Sequence, residues 1–267
     1  MHRNRVCHIA AVLLATAWTA FAAEKPAFQA LEFKASSGKT LRYRLLEPPS
    51  GKAGRKAPLV IFLHGVGERG SDNRRQLANG VREFFLKADH REKFPCFALV
   101  PQCPRDDFWV KTRWNAESMT QAPKPTGATS AVLELAARLI RERPVDADRV
   151  YVMGLSMGGY GTWDLITRKP KLFAAAVPIC GGGDESKALR AKGVAVWAFH
   201  GERDGVVKPH RSKKMVAAIR SAGGKAKLTT YPGVGHGAWG PALREPALMA
   251  WMFAQKRPAP KKAAGSK

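Results

Sequence analysis

The chain is poor in three things. Of its 267 residues four are cysteine, acidic residues number 21 against 45 lysines and arginines, and no apolar run is as long as a membrane span. Scarce cysteine excludes a disulfide scaffold, and no Cys/His spacing here suits a zinc site. Apolar runs below about 20 residues exclude a polytopic membrane protein. Glycine and proline, 25 and 18 residues, are too scattered for a collagen-like or low-complexity chain. What remains is ordinary globular composition with room for a sizeable core.

The acid shortage sets the formal charge at +24. Such an excess favours contact with something anionic but says nothing of fold. The cations are spread over Lys52 to Lys56, Arg74-Arg75, Arg138 to Arg143 and Lys208 to Lys214. Aromatics do not interleave with them as in a strand-binding groove, so no nucleic-acid partner is expected. A solvated basic surface is the plain reading, and weak contact with anionic envelope polymers the functional one.

The N-terminus reads as a secretory signal over residues 1–22. Arg3 and Arg5 form a basic start, Val6 to Ala20 is mostly apolar, and Ala20-Phe21-Ala22 offers a cleavage site. The expected mature protein is secreted or periplasmic, with no integral membrane segment left after cleavage. Cys7 leaves with the signal. Cys96 and Cys103 flank the strand-like Phe97 to Val100, which holds them roughly 20 Å apart, too far to bridge. Residues 256–267, basic and rich in Pro and Ala, read as a disordered tail.

Residues 23–255 then form one catalytic domain of alternating strand and helix patterns. Phe28 to Lys34 and Thr40 to Leu46 alternate apolar with polar, as an antiparallel hairpin does. Leu59 to Leu63, Phe97 to Val100, Val150 to Met153, Ala174 to Ile179, Val194 to Phe199 and Lys227 to Tyr231 are short apolar runs. Buried parallel strands look like this because helices cover both faces. Thr129 to Arg143, Tyr160 to Arg168, Pro209 to Ser221 and Ala242 to Ala254 carry helical periodicity. The expected fold is α/β, a mostly parallel central sheet with helices on both faces.

Gly154-Leu155-Ser156-Met157-Gly158 fits G-x-S-x-G, the sharp strand-to-helix turn that exposes a nucleophilic serine. A strand pattern ends directly on it and a helix pattern follows. The serine needs a base and the base an orienting acid, in the order Ser, acid, His. Asp204 follows the Val194–Phe199 run; Glu202 and Asp184 are its competitors. His236 follows the last strand-like run on a Gly-rich loop. Its rivals fit less well: His200 ends a strand beneath Asp204, His64 lies beside the oxyanion loop, and His210 starts an exposed basic helix. The oxyanion hole needs two backbone amides. Met157 supplies one, and Val66 the other, with Gly67 as its near alternative.

These motifs, together with Leu63-His64-Gly65-Val66-Gly67-Glu68-Arg69-Gly70 and Val100-Pro101-Gln102-Cys103-Pro104, resemble an α/β-hydrolase of the prolyl-oligopeptidase-like, predicted-peptidase esterase group, related to feruloyl and acetylxylan esterase domains. The resemblance spans Phe28 to Ala254. It implies Ser156, Asp204 and His236 as a catalytic triad and ester hydrolysis through an acyl-enzyme, with no cofactor. Only Cys180 to Gly193 lies where a cap would enter, so an open cleft without a cap domain is expected. The irregular Pro101 to Thr126 carries Trp109 and Trp114, expected with Trp239 to bind substrate at the cleft rim. The expected substrate is a carbohydrate-linked or other small acyl ester. A serine peptidase with the same triad and a non-catalytic envelope-polymer binder are the alternatives.

Overall fold

The computed structural model describes residues 27–49 and 55–257, so the signal reading and most of the tail lie outside the described residues. Eight strands form one sheet in the order β1-β2-β4-β3-β5-β6-β7-β8. They are β1 (Gln29–Lys34), β2 (Thr40–Leu46), β3 (Ala57–Leu63), β4 (Phe97–Gln102), β5 (Val145–Leu155), β6 (Ala175–Ile179), β7 (Ala195–Gly201) and β8 (Ala226–Tyr231). Strand β2 runs antiparallel to both β1 and β4, and every pairing from β4 through β8 is parallel. The parallel core is apolar on both faces: all seven residues of β3 are buried, as are all six of β4. This is the expected α/β-hydrolase architecture.

Two apolar clusters lie on opposite faces of the sheet. Leu59, Ile61 and Leu63 of β3 belong to one, beneath α3 (Gly127–Glu142), α4 (Met157–Arg168) and α5 (His210–Ser221). Val60 and Phe62 belong to the other, beneath α1 (Val81–Leu86), α6 (Trp239–Leu243) and α7 (Leu248–Phe253), with α2 (Ala88–Lys93) following α1 outside the cluster. The period-two alternation of a strand requires this division. In α3, Val132, Leu135, Ala136 and Leu139 face the sheet, and the Thr126 side chain caps the helix by accepting from the Thr129 amide.

Three boundaries differ from the sequence reading. The single helix expected over Ala242 to Ala254 is two short ones, separated where Pro246 lacks an amide to donate. Helices α1 and α2 were not expected; each has six residues, too few for a full amphipathic period to register. Arg257, placed in the tail, is held to the body: its amide donates to the Asp148 carbonyl and its guanidinium pairs with the Asp148 carboxylate at 2.9 Å. Between β6 and β7 there is only a 3-10 turn, Glu185–Ala191, so no cap domain is inserted there among the described residues. No described helix is long and apolar enough to cross a membrane.

Candidate active site

Ser156 stands at the C-terminal end of β5, between strand and helix, where parallel sheets bind their ligands. Its backbone has φ 54° and ψ −116°, a left-handed conformation that costs energy for any residue with a Cβ. The flanking glycines make this turn sterically feasible. A Cβ on Gly158 would lie 1.9 Å from the Leu63 carbonyl oxygen, and one on Gly154 would lie 2.5 Å from the Gly158 oxygen. The Ser156 amide is anchored to the Ile179 carbonyl at 2.9 Å.

The other two candidate side chains arrive on loops that follow β7 and β8. His236 Nε2 lies 2.8 Å from Ser156 Oγ, and His236 Nδ1 lies 2.8 Å from Asp204 Oδ2. The two loops nearly touch, since a Cβ on Gly201 would lie 2.1 Å from the Gly235 oxygen. Asp204 is buried and heavily solvated by the protein itself. Oδ1 accepts from the Val206 and Val207 amides at 2.9 Å each, and His200 Nε2 lies 3.2 Å from Oδ2. Burial alone would raise its pKa. The hydrogen bonds from His200, His236 and Val207 outweigh burial and hold the carboxyl well below the usual carboxylate range.

The competing residues lie elsewhere. Asp184 accepts from Gln121 and Ser186, Glu202 receives the Gly233 amide on an exposed loop, and His210 faces Glu117. Cys180, Asp204 and His236 also bring ligand atoms within 4.8 Å of one another. The carboxylate and imidazole atoms of that set are already engaged in the hydrogen bonds above. Burial pushes the Cys180 thiol up, away from the thiolate a metal would want. The set is therefore built for moving a proton.

Met157 opens α4 beside Ser156, and Val66 opens a 3-10 turn directly after Gly65. A Cβ on Gly65 would lie 3.7 Å from the Ser156 Cβ, so the Val66 loop passes over the serine. Arg69 fixes that loop: its guanidinium donates to the carbonyls of Val66, Arg105 and Asp107 and lies 4.2 Å over the Phe108 ring. Sequence reasoning assigned no role to Arg69 or to Glu68, whose carboxylate would meet a Gly65 Cβ at 2.9 Å. Their only signal was a place in the glycine-rich loop.

His64 holds the same loop from below. Its Nδ1 faces the Gly65 carbonyl at 2.6 Å, and its Nε2 accepts from the Cys103 amide at 2.9 Å. That pattern requires the neutral ring with its proton on Nδ1, because a proton on Nε2 would point at another N–H. Burial, reinforced by the nearby Arg69 charge, lowers its pKa from 6.5 to about 4. The unfolded chain takes up this proton first as pH falls, so stability present above 6.5 is lost progressively down to about 4. The loss expected from this shift is about 3 kcal/mol. Urea unfolding of wild type and His64→Gln checks it: the stability gap between them narrows by about that amount from neutral pH to pH 4.

The three tryptophans separate. Trp109 is wholly buried, its indole N–H donates to the His64 carbonyl at 3.0 Å, and its own carbonyl accepts from Thr129 Oγ1 at 2.7 Å. It anchors the long loop to the core and cannot line a cleft, which corrects the sequence expectation. Trp114 is half-buried, edge-on to Tyr160 with ring centroids 5.2 Å apart, and its carbonyl accepts from the Tyr160 hydroxyl at 3.0 Å. Tyr160, one turn beyond Ser156, was read only as a helix residue. Trp239 is half-buried and edge-on to His236 at 5.5 Å.

Comparison with known proteins now supplies the family. Residues 98–244, more than half of the chain, match the dienelactone hydrolase family. The chain belongs to that family. A thermostable esterase of known structure shares 40% identity with this dienelactone hydrolase family member at TM-score 0.81; the match covers 86% of this chain and 63% of that one. A protein of Oryza sativa subsp. japonica described as a probable carboxylesterase is 24% identical over 71% of this chain and 79% of its own length. A ferulic acid esterase, 17% identical at TM-score 0.64 over 86% of this chain and the whole of its own, shares the fold. The expected kinship with α/β-hydrolase esterases holds, and the chain is a member of an esterase and hydrolase family.

Proposed function

We propose that the protein is a secreted serine carboxylic-ester hydrolase acting on carbohydrate-linked esters of feruloyl or acetyl type, or on other small acyl esters. The observation that carries this is the unbroken chain from Asp204 Oδ2 to His236 to Ser156 Oγ, with both hydrogen bonds 2.8 Å long. Ser156 Oγ attacks the ester carbonyl carbon while His236 Nε2 takes its proton. Asp204 accepts the Nδ1–H and steadies the imidazolium. The Met157 and Val66 amides hold the developing oxyanion. Collapse breaks the carbonyl–alkoxy bond, and His236 returns the proton to the departing alcohol. Water, deprotonated by His236, then releases the acid and restores the serine. The uncapped strand ends favour bulky or polymer-attached esters over lipid that needs a moving lid. Trp239, edge-on to His236, and Trp114, edge-on to Tyr160 one turn past Ser156, are the aromatic residues this reading assigns to substrate binding. Export rests on the N-terminal Arg3, Arg5 and Val6 to Ala20 pattern alone.

A fluorophosphonate tests the serine. The expected result is one stoichiometric adduct, mapped by mass spectrometry to the peptide holding Ser156, with parallel loss of turnover on p-nitrophenyl acetate, butyrate and decanoate and on methyl ferulate. The ranking of those esters separates small-acyl, lipid and feruloyl preference. Turnover that survives complete modification of Ser156, or turnover lost through an adduct elsewhere with Ser156 free, would overturn the proposal.

A further inference from the structure

A groove of about 1230 Å³ runs down the flank of the sheet between helices α1–α2 and the turn around α6. Trp239 lines the groove and its ring stands edge-on to His236, so one side chain borders both the groove and the imidazole of the candidate active site. Its floor is apolar, with Phe84, Leu243 and Met249. Its walls carry Glu83, Asp89 and Glu245 against Lys87, Lys93 and Arg244, three charges of each sign. A balanced wall stands out on a chain with 45 basic and 21 acidic residues. The neighbouring hollow at the opposite ends of the strands, about 560 Å³, is lined by Arg55, Lys56, Lys93 and Arg149 and by no carboxylate. An anionic polymer would find its counter-charge in that hollow and would gain nothing net in the groove.

His236 hands its proton to the leaving alcohol, so the alcohol half of the ester lies on the His236 side of the serine. We propose that the groove is the subsite for that half: an uncharged carbohydrate chain, with the ester-bearing sugar against the Trp239 ring and its hydroxyls hydrogen-bonded by the mixed walls. An aromatic face with polar donors and acceptors around it suits a sugar, which is apolar on its faces and polar at its rim. A long acyl chain would leave the six wall charges without hydrogen-bonding partners on the ligand. This inference rests on the carbohydrate-ester reading above and specifies where the polymer lies.

The test is binding to the Ser156→Ala protein, which holds ligand without turning it over. Calorimetry is run with an unsubstituted β-1,4-xylo-oligosaccharide, an oligogalacturonide and decanoate, before and after Glu83→Trp, which fills the groove from the exposed side of α1. Lys87→Trp serves as a second filler. The expected result is that the neutral oligosaccharide binds and loses about fivefold or more in affinity with either filler. In the serine-intact protein the same fillers raise KM on a polymer-linked ester by a similar factor. Neutral oligosaccharide that binds equally with and without the fillers overturns the inference, as does filler-sensitive binding of the oligogalacturonide or decanoate in its place. Because binding needs no catalysis, an inactive chain with filler-sensitive oligosaccharide binding refutes the esterase and keeps the groove; an active esterase without such binding does the reverse.

Discussion

Asp204→Asn is expected to lower kcat on ester substrates by about 10³ to 10⁴ while leaving the fold in place. The reason lies in what the two carboxylate oxygens do. Oδ1 accepts two backbone amides, from Val206 and Val207, and Oδ2 accepts from His236 with His200 beside it. An asparagine has one acceptor oxygen and one NH₂ donor. With its oxygen left on the backbone amides, the NH₂ faces His236 Nδ1 and forces that nitrogen to accept. The imidazole proton then moves to Nε2, the atom that must take the proton from Ser156, and the base is lost. With the amide flipped, the NH₂ collides with two N–H groups and the loop pays instead. Steady-state kinetics with a urea melt distinguishes the two: loss of kcat at near-constant stability supports the tautomer argument, and a kcat within tenfold of wild type refutes it.

Gly158→Ala is expected to cost 4 kcal/mol or more, enough to prevent accumulation of folded protein in a chain of ordinary stability. The added methyl would sit 1.9 Å from the Leu63 oxygen and 2.8 Å from the His64 oxygen. Those are backbone atoms of the last residue of buried β3 and of the buried residue that follows it, so neither partner has a rotamer to change. The clash far exceeds the 1–3 kcal/mol typical of overpacking against side chains. Gly193→Ala is the control: nothing lies within 4 Å of a Cβ there, and its stability should stay within about 0.5 kcal/mol of wild type or rise slightly. Denaturant midpoints of the two variants decide the matter, and a soluble Gly158→Ala protein with a wild-type midpoint would refute the steric account.

The same two effects explain what the sequence reveals. A strand buried on both faces must be apolar throughout, so β3 to β7 were legible as short hydrophobic runs. A nucleophile turn tolerates only glycine at its close contacts, so Ser156 could be read from its neighbours. Asp204 and His236 were legible through chain order and their place after strands. The six-residue helices α1 and α2 leave too short a period, and they form one wall of the groove. The direction of an aromatic side chain leaves no trace either. Trp109 and Trp114 share one loop, yet Trp109 is buried with its N–H on the His64 carbonyl while Trp114 stays half-exposed on Tyr160. Tertiary packing alone decides between them. Arg69 was invisible for a related reason, since its partners are carbonyls at Val66, Arg105 and Asp107 that any residue could supply.

The near contact of Gly201 with Gly235 has a bearing on when, during the life of the chain, chemistry becomes available. Ser156 precedes its base by 80 residues, and the acid precedes that base by 32. A ribosome making the chain from its N-terminus completes the serine turn long before the loop after β8 emerges. Until β8 docks on β7, Asp204 has no imidazole to orient and the serine no base. On the proposed mechanism, newly made chains are silent toward esters until nearly all of the polypeptide has been synthesised and folded, and removal of the chain after Tyr231 would disarm it while sparing most of the sheet.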